Sequence, residues 1–475
     1  MKQRLLLLLM LLVPVLSGWA AVGDMITFNK LVYTVTSEED KTVELTGYSS
    51  SPRGEVVIPA TVNEYTVTSI GTKAFRRCFN LKSVTIPDGV TSLGENAFNG
   101  CDALTKVNIP SGVTSIANGT FSGCDLRSVV LPENVTSIGD NAFYGCTSLK
   151  SIEMPEGLKS IGNSAFYSCT KLASVEIPAS VTTIGDYAFA SCNLLTTLDI
   201  PANVTSIGAN AFEGCKGLTE VNIYAGTLST YGTEAFKNAD ATLKINVFSD
   251  NINAFSKGWK DYSEKFAAFP AEDLTVTGVT ANQNPSETSE YWVTYYHPLA
   301  NVKVNTTDVE IYIATLAEEN EYVNLTQIEG NIIKAGQAVM LKAASADALA
   351  MELTPDAAIG NYSGNDLKGG STVATDKVAY TLAAKNGRMG FYKFAGSALN
   401  PGKAHLELPS LSASVHEFIA LDEETVTSVN VNVNDNPNDD AWYTLDGKKM
   451  VNGKWLNGKL PQGIYIHNGR KEVVR

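Results

Sequence analysis

Three observations predict a mostly β chain built around a solenoid of stacked coils. A phrase of about 23 residues recurs from Leu81 to Lys237. Each copy carries Leu-x-x-Val-x-Ile, as in Leu81-Lys-Ser-Val84-Thr-Ile86, followed by a proline in most copies. A cysteine returns with it at Cys78, Cys101, Cys124, Cys146, Cys169, Cys192 and Cys215, and one step is short because a residue is missing between Cys124 and Leu126. A fixed period in the twenties means coils that each expose an apolar face and bury it only by stacking.

The coil reads in order. In Leu-x-x-Val-x-Ile the apolar residues alternate with polar ones, so Val84 and Ile86 point inward while Ser83 and Thr85 point out. Pro87 and its equivalents Pro110, Pro132, Pro155, Pro178 and Pro201 end the strand, since proline donates nothing to a ladder. Val90-Thr-Ser-Leu93-Gly94 is expected as a second short extended piece, with Gly94 permitting a sharp corner and Ala117 replacing it in one coil. Ala97-Phe98-x-x-Cys101 fits one helical turn with Phe and Cys turned inward. Seven cysteines in an exported chain would ordinarily mean disulfides. Here all seven occupy one place in the repeat, where side chains in register run parallel and suit an S–S bond poorly. A structural ladder of free thiols packed as small hydrophobes is expected instead. No Cys-x-x-Cys and no nearby His supports a metal, and no cofactor is implied.

These residues resemble the BspA-like leucine-rich-repeat proteins of bacterial surfaces, whose coil is similar to Leu-x-x-Ile-x-Ile-Pro-x-x-Val-x-x-Ile-Gly-x-x-Ala-Phe-x-x-Cys. The resemblance covers roughly half the chain and implies a solenoid of about seven coils. It implies a binding scaffold without naming a ligand.

At the start, Lys2 and Arg4 precede the apolar run Leu5 to Leu16, and Gly18-Trp19-Ala20 offers small residues for cleavage. Residues 1–20 are therefore expected to be a Sec signal peptide, the run being too short to span a bilayer. Residues 21–270 form the capped solenoid. Phe28 to Val35 and Thr42 to Thr46 are two expected strands of a hairpin covering its open end. At the far end Phe255, Trp259, Tyr262 and Phe266 recur at helix-like spacing and predict a cap helix. In 271–425 the period is gone, and short runs such as Tyr291 to Tyr296, Val309 to Ile313, Ala338 to Leu341 and Val378 to Leu382 predict a β-sandwich. Residues 426–441 are polar and of low complexity, a linker. The tail 442–475 holds Gly463-Ile-Tyr465 and a basic terminus, and resembles C-terminal sorting segments of type IX secretion. The alternative for the tail is a small β-hairpin unit.

The function classes narrow by charge and by the scarcity of catalytic motifs. With 50 acidic against 36 basic side chains the net charge is −14, which argues against nucleic acid and anionic membrane surfaces as partners. His297, His405, His416 and His467 lie far apart in sequence, with no spacing typical of a metal site or nucleophile–base pair, so no catalytic residue and no enzyme is expected. The outward strand positions of the middle coils carry Glu133, Glu153, Glu156, Glu176, Asp199 and Glu220. On one sheet with rungs about 5 Å apart, like charges repel and require water, a cation or a basic partner. Two readings follow: a secreted or cell-surface adhesin binding an extracellular protein or glycan through that sheet, or an envelope spacer displaying the sandwich. The periplasm is the alternative location, and the oligomeric state is left open.

Overall fold

The computed structural model describes residues 21–270 throughout. Beyond them it describes 275–276, 279, 281–283, 290–316, 323–356, 362–363, 365–369, 377–385, 388–394, 399, 403–409, 418–420, 442–444, 463–467 and 470–474. The proposed signal peptide 1–20 and linker 426–441 lie outside the described residues. The chain divides into two compact units, Met1–Phe269 and Pro270–Arg475.

The first unit is a parallel β-solenoid with one continuous apolar interior, running from Leu31 to Trp259. Its axis is a stack of eight phenylalanines, Phe75, Phe98, Phe121, Phe143, Phe166, Phe189, Phe212 and Phe236. Neighbouring centroids are 5.1–5.7 Å apart and the planes lie within 17° of parallel. Offset stacking in a desolvated interior is favourable beyond the area buried.

The Ala-Phe-x-x-Cys segment is not helical, contrary to the sequence expectation. It is a run of tight turns, with Ala97 N–H donating to Gly94 O and Cys101 N–H to Phe98 O. Within it Asn96 and Gly100 have φ of 55° and 70°. Two left-handed residues per coil cannot sit in a helix, and they explain why Gly, Asn and Ser predominate in these columns, with Lys73, Arg77, Tyr187 and Glu234 as the exceptions. The turns swing three N–H groups toward the next coil, where Asn96, Phe98 and Gly100 donate to Asn118, Thr120 and Ser122 carbonyls.

The glycine column also has a different cause. Gly139, Gly162, Gly185 and Gly208 are absent from the positive-φ positions. What they need is room: a Cβ on Gly208 would lie 2.4 Å from Asp186 N and 2.5 Å from Gly185 C. Each of these N–H groups donates to an isoleucine carbonyl one coil back, Gly208 to Ile184 at 2.8 Å. The second extended piece thereby builds the longer ladder, six parallel rungs from Ser115–Ile116 to Thr230–Tyr231. It stops where Ala117 replaces glycine. Among the described residues no strand pairing joins Ser92–Leu93 to Ser115–Ile116. Ala117 stands here where the neighbouring coils hold the close-approach glycines Gly94 and Gly139.

The Leu-x-x-Val-x-Ile strands, expected as one sheet, fall into three groups. Gly54–Val57, Leu81–Thr85 and Lys106–Val107 pair together; Ser128–Val130 pairs with Ser151–Glu153; Thr197–Ile200 and Glu220–Ile223 pair onward to Lys244–Val247 and Phe266–Ala268. Within the first group the Asn108 carboxamide bonds Ile86 N–H and O at 2.8 and 2.7 Å, continuing the pairing by a side chain where the backbone ladder ends. The first gap lies between Lys106–Val107 and Ser128–Val130. The gap follows the coil shortened between Cys124 and Leu126.

The seven thiols are unpaired and buried. They also do more than fill space. Cys101, Cys124, Cys146, Cys169, Cys192 and Cys215 each donate S–H to the Phe carbonyl of a preceding coil, at 3.1–3.4 Å. Each of these carbonyls also accepts the N–H of its own coil's cysteine, so the thiol from the following coil fills its second acceptor site in a dry interior. Burial pushes the Cys146 and Cys215 thiols up to about 12. Cys169 and Cys192 also move well upward, again through burial. The thiolate, which is the reactive form, is thereby suppressed.

Both ends are covered. Met25–Phe28, Leu31–Ser37 and Thr42–Tyr48 form an antiparallel meander, one strand more than expected, whose last member runs parallel to Tyr65–Ile70. Asn29 and Lys30, with φ of 50° and 69°, make its two-residue turn. The far cap is only partly helical: Ile252–Gly258 is α-helix, Lys260–Lys265 a 3-10 turn, and Phe266–Ala268 a closing strand. Trp259 ends the helix by donating from Nε1 to Gly232 O at 2.8 Å, and its ring meets Phe236 edge-on at 5.3 Å.

The second unit is antiparallel β. The sandwich expected for 271–425 is three layers deep. Its middle sheet runs Asn282–Gln283, Tyr291–Tyr295, Val339–Ala343, Val309–Leu316, Val323–Ile328. Val293, Ile311 and Leu341 face Val302, Val304 and Met351 of one outer sheet. Trp292, Ala314 and Met340 face Tyr380, Phe391 and Leu406 of the other. Burial on both faces accounts for the unbroken apolar runs in these strands. In the tail Trp442–Thr444, Gly463–His467 and Arg470–Val474 form a three-stranded antiparallel sheet.

His297 closes a half-buried turn here, its Nδ1 accepting N–H bonds from Ala300 at 3.0 Å and Leu299 at 3.4 Å. Burial pushes its imidazole down from 6.5 to about 4. Between these values the unfolded chain binds a proton that the folded one refuses, so stability rises with pH across the window. Acidification from pH 6.5 to pH 4 should therefore cost the unit up to about 3 kcal/mol through this residue. Thermal melts of wild type and His297→Asn across that range check this. A wild-type pH dependence no steeper than the variant's would refute it.

Candidate functional site

The strand face does not bring the six acids together as one ladder. Glu133, Glu153, Glu156 and Glu176 are exposed, Glu153 beside Val130 on the paired strand, where Val130 is itself 61% exposed. Asp199 and Glu220 are half-buried. Asn222 Nδ2 donates to Asp199 Oδ1 at 2.9 Å, and Asn246 Nδ2 donates to Glu220 Oε1 at 2.9 Å and to Asn222 Oδ1 at 2.8 Å. Glu220 also lies opposite Lys244 in the register. The repulsion expected at these two carboxylates is thus offset within the solenoid, because Asn222 follows Asp199 in its own column and Asn246 reaches Glu220 from the adjacent one. That leaves four exposed acids on a face interrupted between Glu153 and Thr197.

The turn face carries a second row that sequence reasoning missed. Asn118 Oδ1 accepts from Asp140 N–H, Asp140 Oδ1 from Asn163 N–H, Asn163 Oδ1 from Asp186 N–H and Asp186 Oδ1 from Ala209 N–H, all at 2.7–2.9 Å. Each side chain caps the next coil's backbone. The signal was legible as Asn or Asp after the Ile-Gly or Ile-Ala pair in four successive coils. On the solvent side of this row lies a pocket of about 250 Å³.

Among the described residues no three His, Cys, Asp or Glu side chains gather in a way that could hold a metal ion. His405 is buried and pairs with Glu407 at 3.3 Å, whereas His297 serves its turn. His416 lies outside the described residues. No described helix is long and apolar enough to cross a membrane.

A family profile described as the BspA type leucine rich repeat region matches residues 56–125 and 114–242, in six copies. The chain belongs to the BspA-type leucine-rich-repeat family. A leucine-rich repeat protein from Bacteroides ovatus is 30% identical over 46% of this chain and 70% of its own, with a TM-score of 0.35. The T. pallidum leucine-rich repeat protein is 31% identical over 41% of this chain and 91% of its own, with a TM-score of 0.38. A leucine-rich cell surface protein from Faecalibacterium prausnitzii is 24% identical over 47% of this chain and 82% of its own, with a TM-score of 0.29. No curated protein matches the chain significantly. In these coils the recurring Leu, Val, Ile, Phe and Cys positions are consumed by stacking, so most differences between coils lie in outward side chains.

Proposed function

We propose that the chain is exported to the cell surface and acts there as an adhesin-like binding protein. Its solenoid contacts an extracellular protein or glycan through outward side chains. The observation that carries this reading is the exposed acidic set Glu133, Glu153, Glu156 and Glu176 on the outward side of successive coils. The signal-like stretch Leu5 to Leu16 and the Gly463-Ile-Tyr465 tail support export and surface attachment.

Protease shaving of intact source cells tests the location. Release of the repeat fragment is expected, and protection until lysis would refute surface exposure. Binding of labelled full-length chain to neighbouring cells tests the face. Glu153→Gln with Glu176→Gln should weaken it about tenfold, equivalent to about 1.4 kcal/mol, with unchanged melting. Asp199 and Glu220 are left intact, since their removal would disturb the asparagine bonds. Unchanged cell binding in the double variant would exclude this face.

A further inference from the structure

Three tyrosines stand on the solvent side of the turn face in successive coils. Tyr144 and Tyr167 each follow the core Phe, and their rings stack 5.0 Å apart with planes 5° from parallel. Tyr187 comes from two residues before Phe189 and meets Tyr167 at 6.4 Å and 58°. Tyr144 and Tyr187 are 41% and 39% exposed. The phenylalanine stack beneath is complete without them. Tyr187 also has φ of 55°, the one aromatic residue in a left-handed column that otherwise holds Lys73, Asn96, Gly119, Asn141, Ser164, Asn210 and Glu234. Left-handed backbone at a bulky residue costs on the order of 1–2 kcal/mol. Strain retained under an exposed ring points to a task for the ring.

The stack ends at Tyr144. In the preceding coil the equivalent places hold Ser122 and Gly119, so no ring continues it. The pocket lies there, lined by Tyr144, Gly119, Ser122, Asn96, Asn99 and Asn141 among others. Among the described residues the carboxamides of Asn96, Asn99 and Asn141 make no hydrogen bond, whereas Asn118 and Asp140 are committed to the coil-capping row.

We propose that this slot binds one pyranose ring of a neutral glycan, lying on Tyr144 as the next member of the stack. A pyranose offers an apolar C–H face to the tyrosine and hydroxyls that both donate and accept, which carboxamides match in pairs. No Lys or Arg lines the slot, so a phosphate or sulfate would find no counter-charge. The volume falls below the roughly 300–1,000 Å³ of drug-sized sites and suits a single ring. This inference rests on the surface-binding reading, names the ligand class, and places its contact on the turn face.

The test is affinity electrophoresis of the full chain in gels holding β-glucan, xylan, galactomannan or starch. Retardation by at least one is expected. Tyr144→Ala should weaken it about tenfold, whereas Lys171→Ala should leave it unchanged. Tyr187→Asn should weaken retardation while melting stays equal or rises, which loss of a purely structural ring would not do. Failure of all four polysaccharides to retard the wild type overturns the proposal, as does wild-type retardation of Tyr144→Ala. Either failure leaves the surface reading to the shaving result.

Discussion

Phe166→Ala should destabilise the solenoid by about 3–5 kcal/mol, the range for emptying a buried phenylalanine site. The position is severe for two reasons. Phe166 is fully buried, and it stacks on both Phe143 and Phe189, so its loss removes two ring contacts and leaves a gap no neighbour fills. A solenoid is held by nearest-neighbour interfaces, and a central gap separates two half-stacks that then unfold less cooperatively. For a unit of this size the melting temperature should fall by roughly 10 °C. Calorimetry of the full chain reads this directly. A drop under about 2 °C would show that each coil is stable without the continuous stack.

Gly208→Ala should cost about 3 kcal/mol or more, although it adds only one methyl group. The new Cβ would meet Asp186 N at 2.4 Å and Asp186 Oδ1 at 2.5 Å, and backbone cannot rotate away as a side chain can. Relief requires the coils to part, which lengthens the Gly208 N–H bond to Ile184 O and the Ala209 N–H bond to Asp186 Oδ1. The chain already holds the outcome in miniature at Ala117, where the ladder is interrupted. Urea unfolding of Gly208→Ala beside Ala117→Gly measures the pair: the first should lose stability and the second gain about 1 kcal/mol. Equal stability of Gly208→Ala and wild type would mean that the close approach is not needed.

What was legible and what was not divide along a physical line. Leu81, Val84, Ile86, Phe98 and Cys101 recur at a fixed period, and a periodic apolar set in short coils has one way to leave water, which is to stack. The solenoid, its inward residues and the need for end caps follow from the sequence by itself. The bonds between coils do not, because they depend on distances between residues 22 to 26 positions apart. Gly94 and Gly208 read equally well as corners or as points of close approach until the neighbouring backbone is placed. Cys101 reads as a small hydrophobe until the Phe75 carbonyl lies 3.1 Å away. Asp199 and Glu153 look alike in the outward column. Only the tertiary structure separates them, since Asn222 reaches Asp199 from the next coil. The Tyr144 slot was hidden for the same reason. Phe-Tyr repeats at 143–144 and 166–167, but the slot arises where Gly119 and Ser122 leave the stack unfinished, and a gap has no residue of its own to be read.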